Sequence, residues 1–377
     1  MTGKTPSSKE AGVISDEESE YLFVTPRDMN QQEKVISRTE RYITNKVSSS
    51  FDKIILRGKS ICVSCIGTVG KVFMVNKPSI TNQQINSITS IDDRKCNADY
   101  LYYLLSTMSE EIQNLAGGTT MPIVNKSAFE NLEIALPDTT TQNKVANILS
   151  GLDERIASNN RTNDNLHEMC LLFYRELIDK TRGKKDLLKN HAKCILGGTP
   201  SRAKSEYWNG NINWINSGEI NRFRILEPSE TITELGLKKT STTLLPAETT
   251  VLAITGATLG QVSRLEIESC ANQSVIGIIP DESLTNEYVY LNILENINDI
   301  IGRQTGGAQQ HINKNDVETY EMMIPDAEEL SIFETKVKPL FGQIRNNCIE
   351  NERLIKLRDT LLPELLNGKI DVSNIDI

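Results

Sequence analysis

The sequence is short of the residues that metal sites, disulfide frameworks and membrane spans require. Its 377 residues include 3 histidines and 7 scattered cysteines, and 5% are aromatic. No apolar run reaches the ~20 residues of a membrane-spanning helix, and an odd cysteine count does not predict a disulfide framework. Lysine and arginine (41) are outnumbered by aspartate and glutamate (50), so no general phosphate-binding surface is indicated. The length suggests two or three domains, and we expect a reducing, cytoplasmic location without membrane contact.

The sequence contains two copies of one module, one in each half of the chain. The matching pairs are Gly3-Lys4-Thr5-Pro6-Ser7 with Gly197-Gly198-Thr199-Pro200-Ser201, Gly67-Thr68-Val69-Gly70 with Gly256-Ala257-Thr258-Leu259-Gly260, Asn82-Gln83 with Asn272-Gln273, Asn125-Lys126 with Asn313-Lys314, and Pro137-Asp138 with Pro325-Asp326. The interval between the partners stays nearly constant from the first pair to the last, and their order is kept. Such ordered self-similarity indicates a tandem duplication.

Each copy begins with short β-branched runs and ends in a long segment of helical character. We predict helices over about 141–180 and 328–367, with Gly183 and Gly368 just beyond their ends as stop signals. Pro339 and Pro363, together with one glycine early in each helix, are expected to bend or break them.

Both helices carry an apolar seam in alternating steps of three and four, the spacing of a coiled coil. The seam residues are Leu152, Ile156, Asn159, Asn163 and Leu166 in the first helix, and Leu340, Ile344, Asn347, Asn351 and Leu354 in the second. Asparagines at seam positions fix register at some cost in stability. If the helices pack antiparallel, the two asparagine pairs should meet. At 1.5 Å per residue each helix would be about 60 Å long, a spacer more than a core element.

No catalytic residues and no metal site are predicted. Cys62 and Cys65 have metal-site spacing, but no second Cys/His pair accompanies them, so two small core side chains are the simpler interpretation. The stretch Gly67–Lys71 lacks the first glycine and the hydroxyl residue of a phosphate loop. Asp326, with Glu334 and Lys336, resembles a nuclease pattern, but the first copy has Ala146 and Ile148 where the acid and lysine would be.

The motifs resemble those of a known family. Gly197-Gly198-Thr199-Pro200-Ser201, Tyr207-Trp208 and Ile212-Asn213-Trp214-Ile215 resemble the opening of a target-recognition domain in the specificity (S) subunits of type I restriction–modification systems. Thr255-Gly256-Ala257-Thr258-Leu259-Gly260 and Asn272-Gln273 resemble its middle motifs, and Leu357 to Leu365 with Gly368-Lys369-Ile370 the end of its C-terminal helix. The resemblance covers nearly the whole chain.

This resemblance implies an α+β fold with two tandem-repeated mixed α/β target-recognition domains, separated by a long two-helix antiparallel coiled coil with pseudo-two-fold symmetry. The domains would be residues 1–138 and 187–326, and the spacer helices 139–186 and 327–377. Each domain would read one half of a split sequence in double-stranded DNA, and the helices would set the gap. The chain would not be a catalyst and would hold no cofactor. It would bind two methyltransferase subunits, which bring S-adenosylmethionine, and in the full complex restriction subunits, which use ATP and magnesium.

The first module departs from the second at its start. Residues 187–196 precede the second opening motif and predict a strand, whereas only Met1 and Thr2 precede Gly3. Lys4 also replaces the second glycine of the motif. We expect either that the first domain lacks an edge strand, or that the tail, residues 371–377, helps to close it.

Candidate DNA contacts are polar residues near the motifs, where arginine and lysine can read guanine. They are Lys4, Ser7, Lys9, Arg27, Arg38, Arg41 and Lys46 in the first domain, and Ser201, Arg202, Lys204, Arg222, Arg224, Lys238 and Lys239 in the second. Each could instead be a solvated surface charge. Residues 1–138 have a net charge of −2 and residues 187–326 of −6, so binding to DNA alone should be weak and salt-sensitive.

The repeated loops 117–120 and 306–310 either face DNA or simply turn the chain. We expect Asn82-Gln83 and Asn272-Gln273 to share a structural hydrogen bond, because the two domains should read different bases. Two other functions remain open: a truncated or silent specificity cassette, and a coiled-coil scaffold that binds proteins but not DNA.

Overall fold

The computed structural model describes residues 1–6, 13–30, 34–44, 52–117, 122–302 and 311–375, without the side chain of Asn30. The chain forms two compact units. Unit 1 comprises Met1–Ala157 and Arg353–Ile377, and unit 2 comprises Ser158–Glu352. Each long helix begins in one unit and ends in the other.

Unit 1 combines two small sheets with three short helices in its described ranges. Its strands are β1 (Ile14–Ser15), β2 (Tyr21–Val24), β3 (Arg41–Ile43), β4 (Ser60–Ser64), β5 (Val72–Val75), β6 (Ser79–Thr81) and β7 (Ile85–Ile88), and its short helices are α1 (Ala98–Thr107), α2 (Ser109–Asn114) and α3 (Lys126–Glu130). The strand orders are β1-β3-β2-β6 and β5-β4-β7. Helix α4 (Thr139–Lys180) follows.

Unit 2 repeats this plan with additional strands. Its strands are β8 (Lys184–Leu187), β9 (Ala192–Leu196), β10 (Trp208–Ile215), β11 (Glu230–Ile232), β12 (Thr250–Ala253), β13 (Val262–Arg264), β14 (Cys270–Ala271), β15 (Val275–Pro280) and β16 (Glu321–Ile324). Its helices are α5 (Glu234–Lys239), α6 (Asn286–Glu295), α7 (Ile297–Gly302), α8 (Lys314–Glu318) and α9 (Ala327–Leu366). The strand orders are β11-β10-β14, β13-β12-β15-β9 and β16-β8.

The duplication predicted from the sequence is confirmed element by element. One and the same interval separates the starts of α1, α2, α3 and α4 from the starts of α6, α7, α8 and α9. Strand β2 pairs antiparallel with β3 and parallel with β6, as β10 does with β11 and β14. The repeated Asn125 and Asn313 begin α3 and α8, where each side chain accepts a hydrogen bond from a backbone N–H of the first turn.

The main core of each unit lies between a sheet and the first helix after it. In unit 1, Ile61 and Val63 of β4 pack with Leu101 and Leu105 of α1. In unit 2, Leu252 of β12 packs in a cluster with the residues of α6. Strand β4 is buried along its whole length, so its sequence reads as a continuous apolar run and not as an alternation.

The long helices end within two residues of the predicted bounds and are unbroken. Pro339 and Pro363 lie inside α9, and the expected break at these residues is wrong. Both prolines are exposed, so the carbonyl four residues before each can be solvated by water, which reduces the cost of the missing hydrogen bond. The two helix glycines are exposed and also leave the helices continuous.

Within unit 2 the two long helices run antiparallel, with buried amides between them. Asn159 Nδ2 donates to Asn351 Oδ1 at 2.9 Å, and Asn347 Nδ2 donates to Asn163 Oδ1 at 2.8 Å. The asparagine pairs therefore meet as expected. All ten predicted seam residues are buried or half-buried: Leu152, Ile156, Asn159, Asn163, Leu166, Leu340, Ile344, Asn347, Asn351 and Leu354.

The predicted strand ahead of the second opening motif is β9, which pairs with β15 over five residues. In unit 1, Met1 and Gly3 occupy the equivalent edge, where Ser87 N donates to Met1 O at 2.7 Å and Gly3 N donates to Ile85 O at 3.1 Å. The tail, described as far as residue 375, packs elsewhere in the same unit. Val372 is buried in a cluster with residues of α1, α4 and α9. The tail thus contributes to unit 1, but away from the sheet edge.

Candidate nucleic-acid interface

The loop at each opening motif lies against a neighbouring strand because its glycine allows close approach. A Cβ on Gly197 would lie 2.1 Å from Asn272 O, and one on Gly3 would lie 2.2 Å from Asn82 O. Both distances exclude a side chain without movement of the backbone. The same contact therefore fixes the start of the loop in both units.

The repeated glutamine holds the other end of this motif. Thr5 Oγ1 donates to Gln83 Oε1 at 2.6 Å, and Thr199 Oγ1 donates to Gln273 Oε1. This confirms the expectation that the repeated Asn-Gln pair makes a shared structural hydrogen bond. The residues that follow the motif are free to differ between the units, because the anchoring bonds do not involve them.

Two tryptophans support the opening loop of unit 2. Trp214 Nε1 donates to Gly198 O at 3.1 Å, and Trp208 Nε1 donates to Ser201 O at 3.2 Å. Their rings meet edge to face with centroids 5.0 Å apart. Both rings are buried, so the loop at residues 198–201 rests on a rigid aromatic base.

Arg202 is held on this base. Its guanidinium carbon lies 3.6 Å from the centroid of Trp208, and its two terminal nitrogens donate to Glu230 at 2.6 and 2.7 Å. The hydrogen bonds raise the pKa of the Arg202 guanidinium and lower that of the Glu230 carboxyl. Arg202 is thus exposed and charged, and the predicted DNA contact would require it to leave Glu230.

Most of the other predicted contacts of unit 2 lie on its surface. Ser201, Lys204, Arg222, Lys238 and Lys239 are exposed. Lys204 Nζ donates to Tyr207 Oη at 3.0 Å, and Arg222 donates to the carbonyl of Glu227 at 2.8 Å. On α5, Lys238 lies 3.3 Å from Glu234. These side chains can reach a ligand, and their role in binding stays a prediction.

Arg224 is placed differently from the other candidates. Its side chain is fully buried, with Nη1 donating to Tyr290 Oη at 3.0 Å and Nε lying 3.4 Å from Glu266 Oε1. A buried guanidinium cannot reach a base edge in this conformation, so its placement speaks against a DNA contact. Nothing in the local sequence separates it from exposed Arg222.

In unit 1, the described candidates Lys4, Arg27, Arg38 and Arg41 are exposed. Arg27 lies 3.6 Å from Glu40, and Arg41 stands with its guanidinium carbon 5.4 Å from the ring centroid of Phe23. Ser7, Lys9 and Lys46 lie outside the described residues, as do Gly118 to Thr120 and residues 306–310 of the repeated loops.

A second turn is repeated in both units. Gly67 and Gly256 have φ of 77° and 70°, a left-handed conformation that glycine adopts without strain. Ile66 bridges to Ile123 and Thr255 to His311, so the chain on the far side of each loop returns beside the turn. The turn therefore lies beside Ile123 in unit 1 and beside His311 in unit 2.

Several acidic partners were missed from the sequence. Glu230 holds Arg202, and Glu219 accepts hydrogen bonds from Asn216 and Ser229 and thereby fixes the loop before β11. Arg264 and Glu266 were missed as well. Residues 263–266 are all buried, so no period-two pattern in the sequence marks these two side chains as a buried pair.

Within the described ranges, no group of three or more His, Cys, Asp or Glu side chains is arranged to hold a metal ion. Cys62 and Cys65 are buried free thiols, and desolvation raises the pKa of Cys62 to about 12. In the same ranges, none of the helices has the length and apolarity needed to cross a membrane.

The comparisons with known proteins agree with this architecture. The sequence matches the family described as type I restriction modification DNA specificity domain over residues 1–168 and again over 188–357. It is 27% identical to the type I restriction enzyme MjaIX specificity subunit of Methanocaldococcus jannaschii, covering 99% of this chain and 91% of that protein. It is 25% identical to the EcoR124I/EcoR124II specificity subunit of Escherichia coli, covering 72% and 70%.

The fold is similar to that of a solved relative. The crystal structure of a type I restriction–modification system S subunit from M. genitalium superposes with a TM-score of 0.60 at 17% identity, covering 97% of this chain and 92% of that one. The duplicated family match, the repeated order of elements and the paired long helices lead to one conclusion. The chain belongs to the type I restriction–modification DNA specificity family and contains two copies of its target-recognition domain.

Proposed function

We propose that each unit reads one half of a split DNA target. The observation that carries this proposal is a common scaffold with different exposed side chains. The opening loops of both units are fixed by the same glycine and glutamine contacts. Two similar scaffolds with different surfaces suit two different half-sites.

The surfaces differ at the residues that hold Arg202 on its aromatic base. After the opening motif, Ser8 stands in the first copy where Arg202 stands in the second. On the neighbouring strand, Arg41 pairs with Phe23 in unit 1, whereas Glu230 pairs with Trp214 in unit 2. The pair of Arg202 and Glu230 therefore belongs to unit 2. In unit 1 the position that matches Glu230 holds Arg41, an exposed side chain of opposite charge.

The paired helices would set the number of unspecified bases between the halves. Their continuity over 42 and 40 residues supports this function, as do the hydrogen-bonded asparagines that fix a single register. A spacer must be rigid and unique in register, since one heptad of slip would change its length by about 10 Å.

Partner subunits would supply the chemistry. The recognition domains have net charges of −2 and −6, so much of the phosphate binding should come from two methyltransferase subunits. Those subunits would bring S-adenosylmethionine, and restriction subunits would bring ATP- and magnesium-dependent cleavage. This chain would itself be non-catalytic. Its function would be to choose the sequence.

The direct test is methylation mapping by long-read sequencing of DNA from cells that express this chain with its methyltransferase subunit. The expected result is a split motif, with two short specified halves around a fixed gap. A palindrome of one half would mean that a single unit reads DNA. An assembled complex without methylation would favour a silent cassette or a protein scaffold and would contradict the proposal.

Two variants sharpen this test. Replacement of residues 187–326 by the equivalent domain of a relative should change one half of the motif and leave the other. Insertion of one heptad into both α4 and α9 should lengthen the gap without changing the specified bases. If the gap stays constant, the helices are not its determinant.

A further inference from the structure

Unit 2 contains a group of buried charges between its recognition domain and its helices. We call Arg224, Arg264, Glu266 and Glu287 the arginine cluster. Arg264 Nη1 donates to Glu266 Oε1 at 2.8 Å, and its Nη2 donates to Glu287 Oε1 at 3.2 Å. All four side chains are at most 6% exposed. Their charges balance, as buried charges must.

Helix α9 contacts this cluster with two side chains one turn apart. The ring of Phe341 lies 5.3 Å from the guanidinium carbons of both Arg224 and Arg264. Arg345 Nε lies 3.4 Å from Glu266 Oε2. The Arg345 side chain is 48% exposed and that of Glu266 is fully buried, so this ion pair lies between the cluster and solvent. The recognition domain of unit 2 therefore meets α9 through two cation–π contacts with Phe341 and one ion pair with Arg345, although Glu266 Oε2 makes no hydrogen bond.

Unit 1 has a corresponding group with different chemistry. Lys34 Nζ lies 2.6 Å from Asp99 and donates to Ser150 of α4 at 2.9 Å. Tyr103 of α1 donates to Asp153 of α4, which also accepts from Arg358 of α9 at 2.8 Å. Recognition domain and both helices are again joined by charged groups.

The two groups stand at equivalent positions of the duplicated module. Lys34 precedes Arg224 by the same interval that separates the starts of β5 and β13. Asp99 and Glu287 are each the second residue of their helix, α1 in unit 1 and α6 in unit 2. On the long helices, the interval between α4 and α9 places Asp153 at the position of Phe341, so an acid in unit 1 replaces an aromatic ring in unit 2.

Buried ion pairs suit a positioning function better than a stabilising one. Their net contribution to folding is small, because desolvation offsets attraction, but breaking one leaves an unpaired charge. A domain that slid or rotated on its helix would separate Glu266 from Arg345 in unit 2. In unit 1 it would separate Tyr103 from Asp153 and Lys34 from Ser150. An apolar contact alone would resist such movement less, since it has no preferred direction.

We propose that these two groups of contacts fix each recognition domain on its long helices, and we call them the joints. The residues of the two joints differ, so each contact surface of the helices is specific for its own domain. The positioning residues on the helices are Arg345 in unit 2, and Asp153 with Arg358 in unit 1. The inference rests on the proposed reading of two half-sites. It adds that the accuracy of each half depends on the joint of the same unit.

The test uses the intact complex with its methyltransferase subunits. The variants are Arg345→Gln and Arg358→Gln, and the control is Arg353→Gln, an exposed arginine on the same helix. Methylation is measured on the target found by mapping and on targets with a single changed base in either half. The domain replacement above assigns each half to its unit. Thermal unfolding of each variant is measured in parallel.

We expect each variant to reduce discrimination in its own half alone. Arg345→Gln should raise methylation of targets altered in the unit 2 half by about threefold, since half-exposed ion pairs are weak. Arg358→Gln should act on the unit 1 half by about tenfold, because it removes the charged partner of the more buried Asp153, the carboxylate that accepts from Tyr103 of the domain. Arg345→Lys keeps the positive charge and should retain wild-type discrimination. Arg353→Gln should leave discrimination unchanged in both halves of the target.

The outcomes separate the two proposals. If the wild-type complex shows no split motif, the proposed function fails and with it the joints. If the motif is split but the variants affect both halves equally, or neither, the joints are overturned while the function stands. Lower thermal stability with unchanged discrimination would show a purely structural role and also overturn the inference.

Discussion

Units 1 and 2 share the order of their helices and turns but differ at the edges of their sheets. In unit 2, β9 covers the edge of β15 and β8 pairs with β16. In unit 1, residues 1–3 cover the first edge, and residues 133–136, the counterpart of β16, form no strand. Ile134 and Leu136 are consequently 36% and 37% exposed.

This difference shows that features set by neighbouring residues are kept in both copies, whereas features set by distant segments are not. Asparagine caps and positive-φ glycines act within a few residues, so duplication copies them intact. An edge strand needs a partner from another part of the chain, and its pairing is lost when that part diverges. We therefore expect unit 1 to be the less stable of the two, and four predictions test this comparison.

The largest effect should come from the aromatic residues at the centre of each small sheet. Trp214 and Phe23 occupy equivalent positions in β10 and β2, and both are almost fully buried. Trp214→Ala and Phe23→Ala should each cost ~3–5 kcal/mol of unfolding free energy. Hydrogen exchange resolved by peptide should show the loss in the altered unit only. Equal loss in both units would mean that they unfold together and would break the comparison.

A smaller effect is expected at the opening glycines. Gly197→Ala should cost ~1–3 kcal/mol, because its Cβ would lie 2.1 Å from Asn272 O and because five residue pairs with β15 hold the preceding strand β9 in place. Gly3→Ala should cost less, because only residues 1–3 pair with the edge of β7 in unit 1, against the five residue pairs of β9 and β15 in unit 2. Chemical denaturation of both variants measures the difference. A larger loss of stability for Gly3→Ala than for Gly197→Ala would contradict the expectation that the sheet edge of unit 1 is held more weakly.

Acid should weaken unit 1 through Asp99. Burial alone would raise the pKa of this carboxyl, but hydrogen bonds from Lys34 and Lys59 lower it overall. A lowered acid pKa stabilises the fold above the unfolded pKa of about 3.9, and that contribution disappears as pH falls through the folded value. Asp99→Asn should cost ~1–2 kcal/mol at neutral pH and nothing at low pH.

The measurement is denaturation of wild type and variant at several pH values. Asp93→Asn, an exposed neighbour, is the matched control and should change stability little at any pH. A cost of Asp99→Asn that persisted below the folded pKa would show that lost packing, not charge, explains it.

The smallest effect concerns Arg202, which has no counterpart in unit 1. Glu230→Gln should release its guanidinium from a charged partner and strengthen DNA binding by the complex up to about fivefold, the range of an exposed ion pair. A steeper salt dependence of binding would show that the released Arg202 makes one more phosphate contact. Glu334→Gln, which removes the partner of Lys338 on α9, is the control, because Lys338 is not a candidate DNA contact. Unchanged binding would indicate that Arg202 only supports the loop.

Patterns with a fixed period were predicted correctly from the sequence. The duplication, the bounds of α4 and α9 and the meeting of Asn159 with Asn351 all follow from spacing. The hydrogen bonds of Gln83 and Gln273 followed from their repetition in domains that should read different bases. In each case the relevant partner lies at a regular interval or at the same place in both copies.

The features that were missed or wrongly predicted depend on tertiary contacts between distant parts of the chain. Arg224 and Arg222 are alike in sequence, and only the packing of Tyr290 and Phe341 around Arg224 buries it. Pro339 and Pro363 are tolerated because they face solvent, and their orientation depends on where the partner helix lies. The sheet that closes with β8 and β16 joins segments from opposite ends of the second module, beyond the reach of local patterns.

The division of the chain also has a consequence for its synthesis. Unit 1 includes Arg353–Ile377, and the hydrogen bond of Asn159 requires Asn351. Neither unit can therefore form its full set of contacts until α9 has left the ribosome. At ~5–20 residues per second, the seam of α4 would stay without its partner for roughly ten seconds or more. A premature stop within α9 should therefore yield two incomplete units, not one finished domain and one missing domain. Such a product would expose the apolar side of α4 and be prone to aggregation or degradation.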